Sequence, residues 1–275
     1  MPMKTERNGK MVFAEKRVDL EISDISYGWL DSSWDLNNVR SSFTRIYFPI
    51  EGEGLLTVGD EQIRLCPDNI YIVPSGLCFS GRCDSFLNKI FVHLTLTAPD
   101  GADIFCGIDR CIVLHGQGDL IKKAIRLYSD GSILSVLEFK LMLYHILITA
   151  LGDEKELTAD LKNYSETTLC AIDYVNEHLC ASLTVDEIAC ALFVPKSSLQ
   201  RRFKDETGRS LGRYIDGCLS LRAEGELLDP TLSIGEISER LGFCDQFYFS
   251  RKFKKTHGVS PRVFRQKHNI QVRSL

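Results

Sequence analysis

Long apolar runs are missing from this 275-residue chain. The longest, Met142 to Leu151, holds His145 and is too short to span a bilayer, so no membrane partner is expected. The first residues, Met1 to Arg17, are charged and lack an apolar segment, so no secretory signal is expected either. Tracts of Gly, Ser or Pro are absent, which argues against low-complexity segments. Cys-x-x-Cys pairs are also absent, and the ten cysteines approach most closely at Cys78/Cys83 and Cys106/Cys111. That spacing favours free thiols in a cytoplasmic protein over a disulfide framework or a metal site. No His-x-His pair, paired Ser/His/Asp grouping or phosphate-cradling Gly loop occurs. No enzymatic activity, metal or cofactor is therefore expected.

What is present is unevenly distributed. From Asn163 onward there are 16 Lys/Arg and 14 Asp/Glu, a net of +2; the remainder has 17 and 23, a net of −6. Acids stop altogether at Asp245. From Gln246 to Leu275 there are eight basic residues: Arg251, Lys252, Lys254, Lys255, Arg262, Arg265, Lys267 and Arg273. Periodic aromatics interleave with them, which points to a folded basic surface rather than a solvated tail.

The N-terminal half carries strand signals. Alternating β-branched and aromatic residues run from Phe43 to Ile50. Further short strands are expected at 55–58, 62–65, 70–73 and 89–96, separated by Gly, Pro, Asn and Asp. This spacing suggests a sandwich or barrel. Two helical patterns follow, at 120–129 and 135–151. The second places Leu134, Leu137, Leu141, Tyr144, Ile148 and Leu151 at three- and four-residue steps. Such a stripe serves equally to cover an open end of the barrel or to form a dimer seam. The acidic, unpatterned stretch after Gly152 marks a boundary. The expected organisation is a domain over 1–152, a linker over 153–165 and an all-α domain over 166–275.

In that last domain one unit is written twice. Thr184 to Leu192 corresponds to Ser233 to Leu241 at a shift of 49, and Leu199 to Lys204 corresponds to Phe249 to Lys254 at 50. Each copy opens with a capping box, Thr184 with Glu187 and Ser233 with Glu236. Apolar residues then recur at helical spacing, a short break follows, and a second helix begins. Pro195 suits the first turn of that helix in the first copy. The second helices end at Gly208 and Gly258. Two helices around a short turn make a helix-turn-helix, whose second helix enters the major groove.

Its exposed side chains must reach base edges, and Gln and Arg can bond a base in bidentate fashion. Gln200, Arg201, Gln246 and Arg251 qualify, with Ser197 and Ser250 close by. Lys196, Lys204, Lys252, Lys254 and Lys255 would neutralise phosphates of double-stranded DNA. Leu199, Phe203, Phe249 and Phe253 are core positions. A single Arg on a helix is ordinarily a solvated residue, but Arg201 and Arg251 fall at the same place in both units, which favours groove contact. His257 and His268 read as surface histidines.

The string from Leu241 to Arg265 resembles the signature of the AraC/XylS family of transcription regulators, and the likeness extends over about 165–267. It implies seven helices, with a linker helix near 210–228, and two recognition helices in successive major-groove segments. It also implies base contacts from Ser197, Gln200 and Arg201, then from Gln246, Phe247, Ser250 and Arg251. There are departures. Phe193 stands where the first turn often has Gly, and Ser220 and Glu224 stand where the linker helix usually has Arg and Ala. The Arg222-Ala223 pair lies beside them.

The N-terminal half resembles the cupin-like sensor domain of such regulators, over Arg45 to Gly54 and Leu65 to Ser75. That implies a small-molecule pocket inside the barrel and homodimerisation through the helices after it, with Leu137, Leu141, Tyr144 and Ile148 at the seam. Arg45 and Tyr47 share a strand face, and Trp34, Phe43 and His93 complete a candidate pocket. Arg45 and Tyr47 on the barrel exterior is the competing placement. The overall class expected is α+β: a cupin-like β-barrel with two helices, then two helix-turn-helix units. The competing functional reading is a ligand-independent regulator whose first domain only dimerises or contacts a protein such as RNA polymerase.

Overall fold

The structure is a computed structural model and describes residues 18–98, 103–152 and 164–268. Residues 153–163 of the expected linker, Lys267 and His268 as side chains, and Arg273 lie outside these descriptions. Two compact units are present, one built on the strands and the two helices after them, the other on the helices up to Gly258.

Among the described residues the first unit has nine strands: β1 (Asp19–Asp31), β2 (Asp35–Val39), β3 (Thr44–Gly52), β4 (Gly54–Val58), β5 (Glu61–Leu65), β6 (Ile70–Val73), β7 (Phe79–Arg82), β8 (Phe86–Thr97) and β9 (Ile112–Leu114). They form a five-stranded sheet, β1-β8-β3-β6-β9, and a four-stranded sheet, β2-β7-β4-β5. The two sheets close on one interior. Tyr47, Tyr71, Leu87 and Phe91 come from the first and Leu36, Leu56, Leu65 and Phe79 from the second.

The central strands β3 and β8 are buried on both faces, which is why they read as near-continuous apolar runs. Antiparallel pairing puts Arg45 opposite His93, Tyr47 opposite Phe91 and Pro49 opposite Lys89. Because side chains alternate, Arg45, Tyr47, Lys89, Phe91 and His93 share the face turned toward the second sheet.

Two helices follow, α1 (Gly118–Asp130) and α2 (Ile133–Gly152). α1 packs against β3 and against α2, and Lys123 pairs with Glu138 across the helices at 3.5 Å. α2 buries Phe139, Met142, Leu143, Ile146, Leu147 and Ala150. Its other face exposes Ile133, Leu134, Leu137, Leu141, Tyr144 and Ile148. At 20 residues with a mean hydropathy of 1.7, α2 is long and apolar enough to cross a membrane. The expectation of too short a run is corrected to that extent: the helix begins nine residues before the run, and its charges, Glu138 and Lys140, are few.

The second unit and the helix after it contain the seven expected helices: α3 (Glu166–His178), α4 (Val185–Ala191), α5 (Lys196–Thr207), α6 (Leu211–Leu228), α7 (Ile234–Arg240), α8 (Gln246–His257) and α9 (Pro261–His268). Each start has a chemical cause. Ser165, Ser210 and Asp245 cap α3, α6 and α8 by accepting a first-turn N–H. Both expected capping boxes form, at Thr184/Glu187 and Ser233/Glu236. α5 and α8 end on Gly208 and Gly258, at φ of 79° and 74°, where a side chain would be strained. Pro195 is one residue earlier than expected: it is the N-cap of α5, with extended backbone, and its carbonyl accepts from Leu199 N.

Candidate nucleic-acid interface

Burial decides which face of each recognition helix is offered to solvent. In α5, Leu199 and Phe203 turn into a core made by Ala171, Ile172, Val175, Ile188, Leu211 and Tyr214. In α8, Phe249 and Phe253 do the same, with Phe243 against Phe249 at 5.1 Å. Among the residues left outside, one set is Ser197, Gln200, Arg201 and Lys204 on α5, matched on α8 by Phe247, Arg251 and Lys254 with Ser250 half-buried. These positions run i, i+3, i+4, i+7 in both helices, a single stripe one residue wide. The stripes superpose at a shift of 50, so Arg201 and Arg251 are equivalent by packing as well as by sequence. Phe247 is 79% exposed, an unsupported aromatic at the start of α8.

The basic side chains divide into two groups. Lys204, Lys254, Lys255, Arg201 and Arg251 are exposed, and none of them is ion-paired among the described residues. Others are used within the protein. Lys196 is bonded to Asp186 at 2.6 Å, tying the start of α5 to α4. Lys252 is half-buried, pairs with Asp216 on α6 at 2.9 Å and lies over Phe243. Arg202, its counterpart on α5, donates to Thr167 on α3 at 2.9 Å. The position next to each of Arg201 and Arg251 thus braces its helix against its support.

The two helix-turn-helix copies also touch one another. Ala181 N–H donates to Leu241 O at 2.8 Å. Gly242 lies so close to Cys180 that an added Cβ would stand 3.0 Å from the Cys180 Cβ. Gly242 has φ of 73° and Phe193, its equivalent in the first unit, has φ of 53°.

One histidine reading is corrected. His257 is not on the surface: its side chain is 9% exposed, with Nδ1 3.2 Å from the Glu224 carboxyl and Nε2 2.9 Å from Ser220 Oγ. A neutral ring protonated on Nδ1 donates to Glu224 and accepts from Ser220. The ring stacks on Phe253 at 3.9 Å. Burial pushes its pKa down to about 4. Ser220 and Glu224 are the two places where the linker helix departs from the expected Arg and Ala. Here they form a polar clamp that joins α6 to the end of α8. Ala223 is buried beside them, and Arg222 faces Glu226 at 3.8 Å.

In the sheet unit the five candidate ligand residues are brought together. Trp34, Phe43, Arg45, Tyr47 and His93 are all buried, so the exterior placement of Arg45 and Tyr47 is corrected. Arg45 donates to Ser41 Oγ at 2.7 Å and lies 4.5 Å above the Phe43 ring. His93 packs on Phe43 and Phe91 and has Nδ1 3.6 Å from Asp24. Asp24, its pKa raised by burial, also lines a cavity of about 320 Å³. Leu127, Tyr128, Ser135 and Phe139 form the helical side of that cavity, and none of the five candidates borders it. Sequence reasoning missed Lys89, which is completely buried in the same interior.

Comparison with known proteins agrees with this geometry. Residues 177–267 match the helix-turn-helix domain family. The Msm operon regulatory protein of Streptococcus mutans is 27% identical over 244 residues, covering 83% of this chain and 85% of that protein. The xylose operon regulatory protein of Escherichia coli is 28% identical over 217 residues, covering 77% of this chain and 51% of its own. Among solved structures, ToxT from Vibrio cholerae covers 90% of this chain and 98% of itself with a TM-score of 0.55 at 12% identity, a likeness of fold.

Proposed function

We propose that the chain is a helix-turn-helix transcription regulator of the AraC/XylS family and that it reads a two-part operator through the matched stripes of α5 and α8. The observation that carries this is the equivalence of Arg201 and Arg251, both exposed on faces of identical spacing. Gln200, Gln246, Ser197, Ser250 and Phe247 complete the base-edge contacts, and Lys204, Lys254 and Lys255 hold phosphates. Lys196 and Lys252 act chiefly as braces. Binding is tested on the full chain by fluorescence anisotropy with duplex from its own upstream region. Arg251→Ala should remove the preference for that duplex over unrelated DNA, a loss of about 1–3 kcal/mol. Lys254→Ala should weaken all DNA alike and lower the salt slope by about 1. If the two variants behave identically, the division into reader and clamp is wrong.

The regulator works in the cytoplasm as a homodimer joined by α2, and a small molecule in the sheet unit controls it. The exposed apolar stripe of α2 supports the first statement. The second is supported by the enclosed Trp34, Phe43, Arg45, Tyr47 and His93 grouping and by the shared fold with ToxT, which has been solved with an unsaturated fatty acid bound.

A further inference from the structure

Lys89 is the most unusual residue of the sheet unit. It lies on β8, the second strand of the five-stranded sheet, and its side chain turns into the space between the sheets. Its Nζ is fully buried and meets no hydrogen-bond acceptor among the described residues. The ammonium rests instead on two aromatic faces, 3.4 Å from the Tyr47 ring centroid and 4.3 Å from that of Trp34. The charge nearest in kind is Arg45, of the same sign and also buried, over Phe43 and Phe79. Among the described residues no carboxylate is paired with Lys89; the Cys83 thiol is the group of opposing influence.

Such an arrangement does not stabilise a fold. Removing an ammonium from water carries a large penalty, and cation–π contact returns only part of it. A Met or Leu would fill the same volume without that penalty. A like-charged neighbour adds to the cost. A buried cation of this kind is explained when something of opposite charge enters. The aromatic walls define the rest of that visitor: flat or apolar in its body, with its charge at one end. A dianionic phosphate would need more donors than one ammonium and one guanidinium, whereas a carboxylate is matched by either.

We propose that the effector is an organic carboxylate whose head group is received by Lys89 with Arg45 as second cation, its apolar body lying on Trp34 and Tyr47. This rests on the reading of the sheet unit as a ligand sensor and states which chemical class it senses. Binding replaces two cation–π contacts by a charge-assisted hydrogen bond, so Trp34 changes environment when the site fills.

Trp34 supplies the readout, because the chain has two tryptophans and Trp29→Phe leaves Trp34 alone. Full-length protein in that background is titrated with iodide as a charge-only probe. It is then titrated with 4-phenylbutyrate and hexanoate, each beside its neutral amide. Saturable quenching by iodide is expected, with a fluorescence shift and a raised Tm on adding the acids and at least tenfold weaker responses to the amides. Lys89→Met should abolish all saturable responses while melting at a higher temperature than its parent without ligand. Lys89→Arg should keep part of the acid response. Equal responses to acid and amide, or acid binding undiminished in Lys89→Met, overturns the proposal and points to the cavity beside Asp24. No response to either anion, with Lys89→Met melting lower than its parent, makes the lysine structural and overturns it too. If neutral compounds from a metabolite screen raise the Tm while acids do not, the sensor reading stands and the charge class falls. If nothing in the screen does so, the sensor reading falls with it.

Discussion

Phe193 holds a backbone conformation that aromatic residues avoid. Its φ of 53° is left-handed, and its side chain is 95% exposed, so no packing offsets the strain. The turn itself is the same in both units: Phe193 N and Val194 N bond Cys190 O and Ala189 O, as Gly242 N and Phe243 N bond Glu239 O and Ser238 O. Phe193→Gly should therefore stabilise the protein by up to about 1 kcal/mol, the relieved strain less the extra freedom of the unfolded chain. Urea melts of the two proteins decide it; a less stable variant would mean that Phe193 has a contact that counts.

The His257 clamp makes the opposite case, since removing the ring takes a hydrogen-bond partner from the wholly buried Glu224. His257→Ala should cost about 3 kcal/mol. The ring also sets a pH dependence. Its folded pKa of about 4 lies below the unfolded value near 6.5. The unfolded chain then binds more protons, so this contribution is complete above about pH 6.5 and fades as pH falls toward 4. Melts of wild type and His257→Gln across pH 4–7 should converge at the acid end.

At the scale of elements, α2 is the exposed liability and the recognition helices are the finished product. A 20-residue helix with one face buried and seven large apolar residues outside would serve as half of the proposed homodimer interface. Leu141→Asp with Ile148→Asp should convert a dimer to monomer in sedimentation equilibrium, leaving the far-ultraviolet circular dichroism unchanged. A monomeric wild type would remove α2 as a seam.

The sequence showed β3 to β6 and β8 clearly, because their alternation is bracketed by turn residues. It did not show β1, where alternation lapses at Asp24, or β7, which contains Gly81, or β9, which is three residues long. The recognition helices were fully legible because capping boxes, apolar spacing and stop glycines all agreed twice over. Lys89 and the His257 clamp were not legible. A polar residue in a strand or near a helix end is normally solvated, and only tertiary packing reveals that these two are enclosed.

For the molecule as a whole, the −4 net charge conceals two chemistries. The helical part is positive where it would face DNA, and its affinity should fall steeply with salt as counterions are released. The acidic remainder repels the same polyanion and keeps it from adhering elsewhere. Log affinity against log salt should be linear, and Lys204→Ala with Lys254→Ala should lower its slope by about 2.

The bond from Ala181 to Leu241 and the close seat of Gly242 on Cys180 would make the two proposed reading heads a ruler of fixed graduation. Once one head has found its box, the other is presented to the duplex at a high effective concentration, because the loss of freedom was incurred when the protein folded. The same stiffness would make the protein intolerant of spacing. Each base pair inserted between the boxes rotates the second by about 34–36° and carries it away along the axis. A spacer changed by half a helical turn would leave both boxes intact and the protein able to use only one.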